Sequence, residues 1–127
     1  MTTTAASRGV HTTAYPASLQ VRHLALANIG VSVAAFGVAS GMALMQALSR
    51  ANLDLPFRTA QMYYMSVTGH GTLMALVFTT FFIMGFGYVV AERTLERPVP
   101  LRVLAWGSFW LAVAGTLATV VAVAASL

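Results

Sequence analysis

Taken as apolar and polar positions, the chain falls into three long apolar runs with two short polar breaks between them. No Asp, Glu, Lys or Arg interrupts Leu24 to Ser49, Met62 to Ala91 or Val103 to Leu127. Each run exceeds the roughly 20 residues that carry an α-helix across about 30 Å of hydrocarbon. None of them alternates with period two, and three strands cannot close a barrel. In lipid, backbone polar groups must then be satisfied within each segment, as a helix. The pattern predicts an all-α polytopic membrane protein with three transmembrane helices, at about 24–49, 62–91 and 103–127.

Residues 1–23 read as a polar N-terminal segment and 24–127 as the membrane part. The first twenty or so residues, rich in Thr, Ala and Ser and containing Pro16, lack a sustained apolar face and are expected to form a mobile lead-in. The first break, Arg50 to Gln61, holds Asn52, Asp54 and Pro56; the second, Glu92 to Arg102, holds Pro98 and Pro100. Both have the composition of helix-stopping turns. The first apolar run outlasts the 7–15-residue core of a signal peptide, so it is expected to be a retained helix. Gly37 with Gly41, and the stripe Ala114, Ala118, Ala122 and Ser126, are candidate surfaces for close helix approach. The third run reaches Leu127 with no polar cap or charged flank, which leads to the expectation of a longer polypeptide.

Composition supports a membrane setting, since 58% of the 127 residues are apolar and only 8% charged, too few to clothe a soluble globule. The net charge of +4 comes from arginine alone, and every arginine lies outside the runs. That places them as topology and headgroup anchors and excludes a nucleic-acid surface. Arg8, Arg22, Arg93, Arg97 and Arg102 fall on one side of the membrane, Arg50 and Arg58 on the other. The positive-inside rule then puts the N-terminus and second break in the cytoplasm, and the membrane is expected to be the plasma membrane of a prokaryote. With zero cysteines there is no disulfide, iron–sulfur cluster, thiolate zinc site or cysteine nucleophile.

Candidate chemistry concentrates at His70, the one strongly basic or acidic side chain that lies well inside a span. A neutral imidazole offers a lone pair to a metal while a neighbour orients its other ring nitrogen. Haem ligation is one reading of His70. A histidine hydrogen-bonded between helices, with no metal, is the other. Gly69 and Gly71 on either side leave room for a flat macrocycle, with Ser66 and Met74 expected to flank it on the same face. Tyr63 and Tyr64 read as an interfacial belt, or as donors to a haem propionate, and Trp106 and Trp110 as interface anchors. Phe78, Phe81, Phe82 and Phe86 follow helical spacing and read as packing or lipid contact. His11 and His23 precede the first span and are expected to be solvated. The sequence shows no second histidine within the spans, no buried carboxylate for a proton relay, no Ser-His-acid set and no phosphate loop. No residue is assigned a catalytic role.

The stretch Tyr63-Tyr64-Met65-Ser66-Val67-Thr68-Gly69-His70-Gly71-Thr72-Leu73-Met74-Ala75-Leu76-Val77-Phe78-Thr79-Thr80 resembles the second helix of subunit I of haem-copper oxidases, nearest the B-type cytochrome c oxidase branch. A weaker likeness runs through the whole chain, in its order of helices and loops. The resemblance implies that His70 is one axial ligand of the low-spin haem, which passes electrons to a haem-copper centre that reduces oxygen. It also implies that the second axial ligand, the copper site and the second haem belong to later helices. The chain would then be an N-terminal or split part of an oxidoreductase of aerobic respiration, without a complete active site of its own. Its expected partners are the remaining subunit I helices, other oxidase subunits, an electron donor such as cytochrome c, and the lipid bilayer. Alternatives are a nitric oxide reductase-like subunit, a haem-bearing succinate dehydrogenase anchor, or a non-catalytic accessory subunit. The expected histidine-arginine pair followed by threonine-glycine is missing for the anchor.

Overall fold

The computed structural model describes residues 17–51, 53, 59–100 and 102–125. Arg8, His11, Pro16, Asn52, Asp54, Pro56, Arg58 and Ser126, which carry expectations above, lie outside them. Among the described residues all regular structure is helical, and three helices are long and apolar enough to cross a membrane. The all-α, three-span expectation holds.

Helix α1 covers Leu19–Arg50. It starts where Ser18, in an extended conformation, turns its hydroxyl to accept the Val21 N–H at 3.4 Å, the usual work of an N-cap serine. The helix thus begins several residues before the charge-free run, with Arg22 and His23 exposed on its first turns. Helix α2, Ala60–Thr72, is capped by Thr59, whose hydroxyl accepts the Met62 N–H at 3.2 Å. It runs through a π-helical turn, Leu73–Phe78, into α3, Thr79–Leu95. Together they form one span, Ala60–Leu95. The span stops at Glu96, whose φ of 50° is left-handed, a conformation that L-residues do not propagate into a helix. Pro98 and Pro100 follow, and α4 occupies Arg102–Ala125. The second connection is therefore shorter than expected, because Glu92 belongs to the helix.

Helix α1 packs along the whole second span. Its buried stripe is Val21, Leu24, Ala25, Asn28, Ser32, Ala35 and Ala39, spaced by three or four residues as one helical face requires. Most of these side chains are small, so the backbones approach closely. At Gly85 a Cβ would meet Ala25 O, Asn28 Cβ and Ile29 Cγ1, each at 3.0 Å. The tight crossing is therefore here and not at Gly37 and Gly41, where a Cβ would meet nothing within 4 Å. Ala114, Ala118 and Ala122 are likewise exposed and form no interface among the described residues.

Helix α4 buries only Ala105 and Phe109. The Phe109 ring meets Phe81 edge-on at 5.9 Å and Trp106 at 5.6 Å, anchoring the beginning of α4 to α3. Farther along, α4 leaves a cleft of about 490 Å³ against the second span, lined by Gly69, Leu73, Leu76, Thr116 and Val120 among others. Large apolar side chains such as Leu111 and Val121 point outward, as lipid-facing positions do.

Candidate functional site

His70 lies in the last turn of α2 and is half-buried. Its Nδ1 is 2.9 Å from the carbonyl oxygen of Ala39, in the middle of α1. A carbonyl only accepts, so Nδ1 carries a proton, and in the neutral imidazole the lone pair is then the one on Nε2. This bond ties two helices together and also presets the tautomer that a metal-binding imidazole needs. Ala39 is wholly buried, and its small side chain is what lets the ring reach the backbone of α1.

Two further polar contacts join the same helices. Gln46 Nε2 donates to the carbonyl oxygen of Ser66 at 3.0 Å, and Arg50 Nε donates to the hydroxyl of Tyr63 at 3.0 Å. Ser66 is therefore not beside an open imidazole face as expected. It is buried against α1, and its hydroxyl donates to the carbonyl oxygen of Tyr63 at 2.7 Å. Met74 is half-buried, while Tyr64 is exposed as a belt residue would be.

The two glycines beside His70 differ in role. A Cβ on Gly69 would stand 2.8 Å from Met42 Sδ, so that space belongs to an α1 side chain. A Cβ on Gly71 would meet nothing within 4 Å. Of the two, only Gly71 leaves the open room expected for a macrocycle.

The π turn that follows His70 was not anticipated. Leu73 N–H reaches both the Gly69 and His70 carbonyls, and Thr79 Oγ1 donates to the Met74 carbonyl at 2.9 Å. Such turns take up an extra residue and often mark functional sites. On a straight α-helix, Ser66 and Gly85 would sit about 100° apart. The wider turn brings both onto the face that meets α1. It also stacks Phe78 against Phe82 at 5.7 Å and sets it 5.5 Å from Phe36. Composition gives no signal for a π turn, since Leu73 to Phe78 is an ordinary apolar run.

Glu92 was also missed. The sequence reading found no buried carboxylate, yet this residue is 1% exposed. Its Oε2 accepts from Ser18 N–H at 2.9 Å and from Ser18 Oγ at 3.3 Å, while Oε1 has no partner among the described residues. The carboxyl thereby meets the amino end of α1, where the helix dipole favours negative charge. A legible signal did exist: Phe81, Gly85 and Glu92 continue one helical face beyond the charge-free run.

Among the described residues no group of three or more His, Asp or Glu could hold a metal ion. What the site offers is one imidazole with a free Nε2 beside open space at Gly71. That donor set fits a metal already held in a macrocycle, which asks the protein for axial ligands only.

The fold and site define an integral membrane helix bundle whose first two spans are tied together at a histidine. The family model for cytochrome c and quinol oxidase polypeptide I matches residues 23–126, and the chain belongs to that family. No curated protein and no solved structure matches it. The resemblance read from residues 63–80 thus holds at the level of haem-copper oxidase subunit I, and the chain is part of an oxidase.

Proposed function

We propose that this chain provides one axial ligand, His70 Nε2, to the low-spin haem of a B-type haem-copper terminal oxidase. The observation that carries the reading is the Nδ1–H bond to the Ala39 carbonyl. It fixes the ring orientation, leaves Nε2 free and strengthens the imidazole as a donor. Membership of the oxidase family supports it independently. Bound iron would supply one-electron transfer towards an oxygen-reducing haem-copper centre. The chain's own residues do three things: His70 ligates, Ala39 orients, and Gly71 leaves space.

The assembly partners in this reading are the remaining helices of subunit I, the other oxidase subunits and a donor such as cytochrome c. Residues 1–23 lie on the cytoplasmic side of a prokaryotic plasma membrane, and 24–127 form the membrane part. The arginine distribution supports that orientation.

The test is a reduced-minus-oxidised absorption spectrum of the native membrane complex, compared with its His70→Ala variant. Loss of the low-spin haem bands is expected. Bands that persist unchanged in the variant would overturn the ligand role and leave His70 as a tether between helices.

A further inference from the structure

The second connection and the start of α4 carry a charge that the chain itself does not answer. Of the three acidic residues in the sequence, Asp54 belongs to the first break and Glu92 gives its Oε2 to Ser18. That leaves Glu96 for Arg93, Arg97 and Arg102, so three positive charges stand against one negative, a surplus of two. All four side chains are exposed, and no ion pair joins any of them to a described residue.

Arg102 differs from the other two arginines in what lies next to it. It lines a hollow of about 830 Å³ together with Pro98, Pro100, Val103, Leu104 and Gly107. Proline fixes φ and lacks an N–H, so Pro98 and Pro100 form a stiff wall with no donor of their own. Val103 and Leu104 are 88% and 66% exposed, and a Cβ on Gly107 would meet nothing within 4 Å. Gly107 lies one turn beyond Val103, so the two share a helix face, and it is about 8 Å of rise deeper than Arg102. One turn deeper again, Leu111 is exposed as well. A cation at the membrane boundary thus stands over an apolar furrow that descends into the hydrocarbon. A phospholipid presents its own parts in that order, an anionic phosphodiester at the surface and acyl chains below it.

We propose that this hollow seats one anionic phospholipid, with the phosphodiester on the Arg102 guanidinium and an acyl chain laid over Gly107 against Val103 and Leu104. A guanidinium presents paired N–H donors that match two oxygens of a phosphate. The surplus of positive charge favours a lipid of net negative charge, such as phosphatidylglycerol, over a zwitterionic one that brings its own ammonium. A free phosphate would leave the apolar furrow in water, and an acidic protein segment would bring no chain to fill it. The inference stands apart from the haem reading of His70.

The experiment counts the phosphatidylglycerol molecules held by the native membrane complex. The complex is reconstituted in phosphatidylcholine nanodiscs with increasing phosphatidylglycerol and released into native mass spectrometry. Arg102→Gln is expected to lower the count and to raise the phosphatidylglycerol fraction at half-occupancy about fivefold, the factor that one interfacial cation contributes. Gly107→Leu keeps every charge but fills the furrow, and is expected to lose the same lipid. Arg102→Lys should fall between the native complex and Arg102→Gln, because a point charge lacks the fork. An unchanged count in both Arg102→Gln and Gly107→Leu overturns the assignment. A loss in only one of them overturns it too: in Arg102→Gln alone it means an anion without a chain, such as free phosphate, and in Gly107→Leu alone a chain without its headgroup. A subunit lost from Arg102→Gln while the lipid count holds places an acidic protein segment on the arginine instead. If Arg102→Gln does not assemble, Arg102→Lys and Gly107→Leu carry the test, and native counts in both overturn the assignment.

Discussion

At the scale of single residues, the side chains that matter most are those whose polarity conflicts with their surroundings. His70 resolves the conflict by donating to a backbone carbonyl. Glu92 resolves it only in part, with Oε2 satisfied by Ser18 and Oε1 without a partner among the described residues. Removing the Glu92 carboxyl would strand the Ser18 N–H and open a gap between α1 and α3. Glu92→Ala is therefore expected to cost about 1–3 kcal/mol, read as a lower midpoint of thermal unfolding in detergent. Glu92→Gln keeps an acceptor oxygen and adds a donor, and should cost clearly less. Equal losses in the two variants would mean that the Ser18 contact contributes nothing.

At the scale of elements, the second span is an α-helix with one deliberate irregularity. The π turn at Leu73–Phe78 accommodates an additional residue, so that α2 and α3 both turn their packing faces towards α1. Deleting one residue inside the turn, such as the exposed Ala75, converts it to α-helix and leaves both faces in place. Deleting Ile83, equally exposed but within α3, rotates Gly85 and Glu92 about 100° away relative to the preceding turns. The expectation is that the Ala75 deletion accumulates in membranes near the native level while the Ile83 deletion does not. Quantitative immunoblotting of membrane fractions reads the difference, and equal accumulation would show that the π turn does not set the register.

At the scale of the whole molecule, three spans place opposite ends of the bundle on opposite sides of the bilayer. The chain has no cysteine, so introduced cysteines report without background. Leu53 in the first connection and Glu96 in the second are both exposed. With Leu53→Cys, a membrane-impermeant maleimide is expected to react in intact cells. With Glu96→Cys, it should react only after the cells are permeabilised. The reverse pattern would invert the orientation argued from arginine and place His70 towards the cytoplasmic face.

The sequence alone determined the number of spans, their helical nature and the family, and it singled out His70 as the candidate for chemistry. These depend on the length of apolar runs, on the impossibility of unpaired backbone in lipid and on a local motif around His70. The tertiary structure alone decided which small residues face a partner, because many glycines and alanines share helical spacing and only contact separates Gly85 from Gly37 and Gly41. It also decided the tautomer of His70, the π turn and the burial of Glu92. Each of these depends on an atom of another segment: the Ala39 carbonyl, the face of α1, and the N–H of Ser18. Periodicity within one helix states which residues share a face, while the identity of what lies opposite is a property of the packed chain.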